Sequence, residues 1–108
     1  MTITALPQPA PWELEYLPYT SCPNGNEIPH FRINDANFDT VCETNENLPA
    51  DVQEANACLI AAAPDLLAAL NYFFNIMHDY DSSVRKGYVA HALALARNAI
   101  AKAKGTPL

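Results

Sequence analysis

The spacing of hydrophobic residues changes once along the chain, at Pro49, and this change constrains the fold more than any other feature. Before Pro49, apolar and polar residues alternate in short runs, which is typical of half-buried β-strands. After Pro49, apolar residues recur every three or four positions, which is typical of amphipathic helices. The 108 residues suit one domain. We therefore predict an α+β fold over residues 12–108.

Three prolines stand at alternate positions near the start of the chain: Pro7, Pro9 and Pro11. Proline lacks the backbone N–H that a helix interior or a central strand requires. Residues 1–11 are therefore predicted to form a proline-rich extended arm, either loose or laid along a partner.

The β part is predicted to be a short antiparallel meander of three strands, over residues 12–16, 28–33 and 38–44. Pro29 removes a hydrogen-bond donor, so the second strand should lie at an edge or begin after it. Phe31 and Ile33 should share its buried face. Asn24-Gly25 is a strong turn signal. A second turn is expected over residues 34–37, with Asn37 a candidate for the left-handed position.

The helical part should be divided by Pro64, which kinks a helix or starts a new one. The first piece, from Pro49, has a predicted apolar face of Val52, Ala55, Leu59, Ile60 and Ala63. The second piece, residues 65–78, has a broad apolar face of Leu66, Leu67, Leu70, Phe73, Phe74 and Met77. A last helix, from about residue 83 to 104, should stop at Gly105 and pack antiparallel to the kinked helix.

Charge is distributed unevenly along the chain. Residues 1–83 hold all 12 acids and only one base, Arg32, so their formal charge is −11. The predicted partner-binding surface is an acidic set on the second turn, the third strand and the first helix: Asp35, Asp39, Glu43, Glu46, Asp51 and Glu54. Such a surface could occupy a basic groove that is meant for nucleic acid; the alternative is an acidic surface that only confers solubility. Direct binding to nucleic acid is not expected, since the whole chain carries −6.

The last helix suggests a second kind of contact. Its predicted solvent side is made of small residues: Gly87, Ala90, Ala94 and Ala101. Small residues let another helix approach closely, so we predict self-association as a homodimer through this side. The alternative is that alanine stands there because it is the best helix former.

No catalytic or metal-binding motif is apparent in the sequence. Gly-rich phosphate loops and paired Cys/His zinc spacings are absent, and His78, Asp79 and Asp81 read as a hydrated loop. Cys22, Cys42 and Cys58 form no CxxC pair, and residues 1–11 lack the basic and long apolar regions of a secretory signal, so none is expected. We therefore expect reduced core thiols in a cytosolic protein, with no enzymatic activity, cofactor, metal or membrane span.

Residues 54–70, EANACLIAAAPDLLAAL, resemble a motif, EANAxLIAAAPxLLxAL, of small uncharacterised phage and prophage proteins. The tail ARNAIAKAKG, residues 96–105, is similar to their usual ending. The resemblance implies a phage origin, the host cytosol, and a short β-meander before the motif, but no shared activity. Cys58 departs from the family, where Arg or Lys is common. By analogy with small acidic phage proteins, we expect an inhibitor that binds a host defence complex, such as an anti-CRISPR protein; the alternative is a structural or assembly accessory of the virion.

Overall fold

The change of structure at Pro49 is present in the computed structural model, which describes residues 5–21 and 24–106. The fold is α+β, as predicted. Strands β1 (Glu13–Tyr16), β4 (Phe31–Asn34) and β5 (Thr40–Glu43) form an antiparallel sheet of order β1-β4-β5. Strands β2 (Tyr19–Thr20) and β3 (Glu27–Ile28) form a separate hairpin. Helices α1 (Ala50–Ala61), α2 (Ala63–Asp79) and α3 (Ser82–Lys104) follow.

The predicted second strand is interrupted at Pro29, as the missing donor suggests. β3 ends at Ile28, and β4 begins at Phe31. Phe31 and Ile33 share the buried face of β4, as predicted, and α1 packs against it. Gly25 has a φ of 71° and ends the turn between β2 and β3, which confirms the Asn24-Gly25 signal.

Pro64 divides the helical part, as predicted. α1 ends at Ala61, α2 starts at Ala63, and the two axes differ by 42°. Pro64 lies in the first turn of α2, where a missing N–H breaks no helical hydrogen bond. Within the described chain, no single helix is long and apolar enough to cross a membrane, although α1 and residues 63–78 together would meet the length and composition criteria as a bent pair.

The predicted apolar face of α1 is wrong in part. Val52 and Leu59 are 41% and 56% exposed, and the buried positions are Gln53, Ala57 and Ala61. Alanines allow α1 to lie close to β4. Gln53 can be buried because its amide is satisfied: Thr44 Oγ1 donates to Gln53 Oε1 at 2.7 Å, and Gln53 Nε2 donates to the Leu48 carbonyl at 2.9 Å.

The two long helices form a projecting pair, which we call the helical hairpin: α2 and α3. They pack against each other through Ala69, Ile76, Ala92 and Ala99, and α3 also packs on α1. The backbone of neither helix comes close to the described strands, although Lys102 of α3 reaches Glu13 of β1 at 3.9 Å. The molecule measures 66 × 33 × 24 Å, and its radius of gyration is 17.9 Å, whereas a compact domain of this length has about 13 Å. The strands and α1 therefore form one end, called the head, from which the helical hairpin extends.

Candidate protein-binding surfaces

The turn between β4 and β5 is organised by the carboxylate of Asp35. Its Oδ1 accepts hydrogen bonds from the backbone N–H groups of Asn37 (2.8 Å) and Asp39 (2.9 Å). Its Oδ2 accepts a third bond, at 3.1 Å, from the side-chain amide of Gln8. This is the local side-chain to backbone bonding by which Asp replaces a backbone turn. The carboxylate therefore fixes the conformation of the whole turn.

Asp35 is 4% exposed, so the structure places this predicted contact residue inside the turn and out of reach of a partner. Burial alone would raise the pKa of its carboxyl group. The hydrogen bonds donated by Gln8, Asp39 and Asn37 outweigh that effect and hold the pKa below its ordinary value. The group is thus ionised at neutral pH and serves to hold the turn.

The tip of the same turn exposes an aromatic ring. Phe38 has a φ of 67° and is 87% exposed. We predicted the left-handed conformation for Asn37, which tolerates it better; that prediction is wrong, because Asp35 binds the N–H of Asn37 and moves the left-handed residue one position along. A residue with a Cβ costs about 1–2 kcal/mol in this conformation. Asp39, the next residue, is also exposed.

The described part of the predicted arm, residues 5–11, lies on this turn. The N–H of Ala36 donates to the Pro9 carbonyl at 3.1 Å, and Gln8 Nε2 also reaches the Thr40 carbonyl at 3.2 Å. Between the arm and the start of α2 is an open, mainly apolar cleft of about 430 Å³, bordered by Leu6, Trp12 and Leu67 among others. The arm is therefore packed on its own domain.

The remaining predicted acidic residues do not form one patch. Glu43 and Glu46 lie at the far end of β5 from Phe38, on either side of His30, at 3.7 and 3.9 Å from its ring nitrogens. Glu43 also pairs with Arg32 at 3.1 Å. Asp51 and Glu54 are exposed on α1. The six predicted residues thus occupy the interior and tip of the turn, the end of β5, and α1.

Exposed tyrosines accompany these acids. The Tyr19 hydroxyl donates to Glu46 at 2.6 Å, and the Tyr16 hydroxyl donates to Glu27 at 3.1 Å. The pKa of Tyr19 is raised mainly by its hydrogen bond to Glu46, and burial adds to this effect. The pKa of Tyr16 is raised mainly by burial, and its hydrogen bond to Glu27 adds to this effect. Both phenols therefore stay neutral hydrogen-bond donors at ordinary pH.

The predicted small-residue side of α3 is open to solvent. Gly87, Ala90 and Ala94 are exposed and Ala101 is partly exposed, and a Cβ added at Gly87 would meet nothing within 4 Å.

A larger apolar surface lies elsewhere on the helical hairpin. The groove face, as we call it, is a groove of about 390 Å³ lined by Leu66, Ala69, Leu70, Phe73, Ala92, Leu93, Ala96 and Ile100. Of these residues, Leu66, Leu70 and Phe73 belong to the apolar face that periodicity predicts for the second helical piece, and periodicity alone does not reveal them as a surface.

Among residues 5–21 and 24–106, no group of three or more His, Cys, Asp or Glu could hold a metal ion. Cys42 and Cys58 are free thiols that are partly buried. Burial, together with the nearby Glu43 and Glu54 respectively, raises the pKa of each thiol. Cys22 lies outside the described residues.

Comparison with known proteins gives one result. A protein-family model described as Salmonella phage P22 protein Y8K6 matches residues 1–107. No curated protein and no solved structure matches the chain.

Proposed function

The chain belongs to the family of Salmonella phage P22 protein Y8K6, and from this premise we propose that it acts by binding a host protein complex, as an anti-CRISPR or another anti-defence inhibitor does. The turn between β4 and β5 is the proposed contact, and Phe38 is its anchor. Catalysis plays no part in this proposal.

The exposed ring of Phe38 is the observation that carries the proposal. The fold uses a buried carboxylate with three hydrogen bonds to hold the turn, and the turn displays a phenylalanine in an unfavourable backbone conformation. Backbone strain persists only where the surrounding structure imposes it, and strain of this kind is concentrated at functional sites. Aromatic side chains that enter a partner's pocket supply much of the free energy of binding at protein interfaces.

The charge of the head supports a basic partner surface. Asp39 is exposed beside the ring, and Glu43 and Glu46 are about half exposed at the other end of β5. Opposite charge across an interface steers association and fixes orientation. Proteins that handle nucleic acid carry such basic surfaces, which is why a defence complex of that class is the proposed target.

The test is capture from an extract of phage-infected host cells with the purified full chain, followed by an activity assay of the captured complex. We expect the wild type to retain one host complex at stoichiometric level and to inhibit it. Phe38→Ala removes the ring but keeps a Cβ, so the left-handed backbone conformation stays as unfavourable as in the wild type. Affinity should fall roughly 30-fold, which corresponds to a hot spot of about 2 kcal/mol. Leu59→Ala, which truncates another exposed apolar side chain on α1, is the matched control and should bind normally.

Two results would contradict the proposal. Recovery of phage structural proteins alone would favour the assembly accessory. Capture that Phe38→Ala leaves unchanged would remove the turn as the contact surface.

A further inference from the structure

The two faces of the helical hairpin differ in character. On one face, Lys102 Nζ lies 2.8 Å from Asp65 Oδ2, and Tyr72 and His91 meet edge to face with ring centroids 5.0 Å apart. On the groove face, large apolar side chains are open to water: Leu70 is 66% exposed, Phe73 42%, Leu93 54% and Ile100 47%. Contiguous exposed apolar patches of this kind mark interaction sites.

The helical hairpin has little core of its own. Its buried contacts are Ala69, Ile76, Ala92 and Ala99. Among all described residues, only Phe31, Ile33 and Ile76 are large hydrophobic side chains that are buried. A small domain depends on burying large apolar side chains to offset the entropy of folding. The groove face therefore needs a cover for the chain to be stable.

We infer that a second copy of this chain covers the groove face, so that two helical hairpins form a four-helix bundle. The molecule that packs on the groove face must be present whenever the chain is folded, including before the chain meets a host target. Another copy of the chain meets this condition, because it is always available at equal concentration. This inference is independent of the proposed function, which uses the opposite part of the molecule, the turn in the head.

The dimensions of the groove face suit a dimer. Exposed apolar side chains extend from the groove face to the flanking Phe74 and Met77, over residues 66–77 of α2. This is a length of about 18 Å, and two packed helices are about 20 Å wide. The projected area is on the order of 400 Å² per copy, and the accessible area of such a ridged surface is larger. A standard interface buries about 800 Å² per partner including its polar rim.

Charge selects how the two copies would be arranged. On α3, Arg97 and Lys104 lie next to Leu93 and Ile100, along the outer edge of the groove face. The α2 edge carries the uncharged Phe74 and Leu67 instead. Placing α3 of one copy against α2 of the other, about a two-fold axis, keeps the two basic rows apart and lets each apolar ridge enter the other copy's groove.

The first test uses the unmodified chain. Sedimentation should give twice the 11.8 kDa mass of one chain. The melting temperature should rise by several degrees for each tenfold increase in protein concentration, because dissociation accompanies unfolding. A mass of one chain at high micromolar concentration, with a melting temperature independent of concentration, would overturn the inference and would leave capture by Phe38 unaffected.

The second test locates the interface. Leu70→Glu with Leu93→Glu should give monomers or unfolded chains, and the milder Leu70→Ala should weaken the dimer at least tenfold while preserving the fold. Ala90→Glu with Ala94→Glu adds the same charge on the small-residue side and should remain dimeric. If that control dissociates while the Leu70 and Leu93 variants stay dimeric, the interface is the small-residue side and the inference is wrong.

Discussion

At the scale of single residues, Phe38 combines an unfavourable backbone conformation with a side chain that is 87% exposed. Its replacement by glycine should raise the free energy of unfolding by about 0.5–1 kcal/mol, since relief of the left-handed strain exceeds the entropy that glycine adds to the unfolded chain. Phe38→Ala should give no such gain, because alanine keeps a Cβ. Denaturant unfolding of the three proteins measures both effects, and equal stability of the two variants would show that the backbone is not strained.

Asp35 makes stability depend on pH in a defined direction. Its pKa in the folded protein is lowered, so the folded state favours the ionised group. The stabilisation is complete above the unfolded value, about 3.9 for Asp, and is lost as the pH falls through the lower folded value. Asp35→Asn keeps one acceptor for the turn but cannot titrate.

The difference in unfolding free energy between the wild type and Asp35→Asn should therefore be constant near pH 6 and shrink below about pH 4. Thermal melts at a series of pH values measure it. Asp39→Asn, an exposed neighbour, should show a much smaller difference. A difference that grows towards acid would contradict the assigned role of Asp35.

At the scale of elements, α1 is fixed to the sheet by a buried amide. Gln53 joins the Thr44 hydroxyl to the Leu48 carbonyl. Gln53→Met removes both hydrogen bonds and leaves the Leu48 carbonyl without this donor, whereas the Thr44 hydroxyl keeps its bonds to the backbone of Phe31, so the loss should be about 1–2 kcal/mol. Leu59→Gln changes a position that the sequence marked as core but that is 56% exposed. It should cost less than about 0.5 kcal/mol. Chemical denaturation measures the free energy of unfolding of both variants. A larger loss for Leu59→Gln than for Gln53→Met would show that α1 is stabilised through the predicted apolar face.

Local signals predicted most of the element boundaries. The turn at Asn24-Gly25, the break at Pro64 and the stop at Gly105 each depend on the backbone chemistry of one or two residues, and each is present. The hairpin of β2 and β3 was missed, because strands of two residues are too short to show a period.

The buried faces were harder to predict, because burial depends on what lies opposite. The periodicity of α2 correctly identified an apolar face, but it could not tell that a single chain leaves Leu70 and Phe73 open. In α1 the close approach to β4 selected alanines and a satisfied glutamine over the larger Val52 and Leu59. The displaced left-handed residue, Phe38 instead of Asn37, depends on which N–H groups Asp35 binds, and composition does not specify that choice.

At the scale of the whole molecule, the acidic and apolar surfaces are separated. Lys102 lies within 3.9 Å of Glu13 and 2.8 Å of Asp65 at the junction of the head and the helical hairpin, so part of the acidic charge is compensated there. Asp39, Glu43 and Glu46 remain exposed on the head. Two copies joined through their groove faces would present two such heads, so a dimer could engage two target sites with increased avidity.

The separation of surfaces leads to a prediction about binding kinetics with the captured host complex. Exposed charges act at a distance and mainly change the association rate, whereas a desolvated ring mainly changes the dissociation rate. Neutralising the three exposed acids by Asp39→Asn, Glu43→Gln and Glu46→Gln should slow association and flatten its dependence on salt. Screening acts over about 8 Å at physiological ionic strength, so the wild-type rate should fall steeply as salt is raised.

Phe38→Ala should behave in the opposite way. Dissociation should become roughly 30-fold faster, the kinetic equivalent of about 2 kcal/mol, while the salt dependence of association stays that of the wild type. Association and dissociation rates measured by surface plasmon resonance at several salt concentrations separate the two effects. Asp51→Asn with Glu54→Gln removes two exposed acids from α1 instead and serves as the control, with the change in association rate compared per charge removed. If this control slows association as much as the changes at Asp39, Glu43 and Glu46, charge acts through the net value of the molecule, and these three acids have no special part in orienting the encounter.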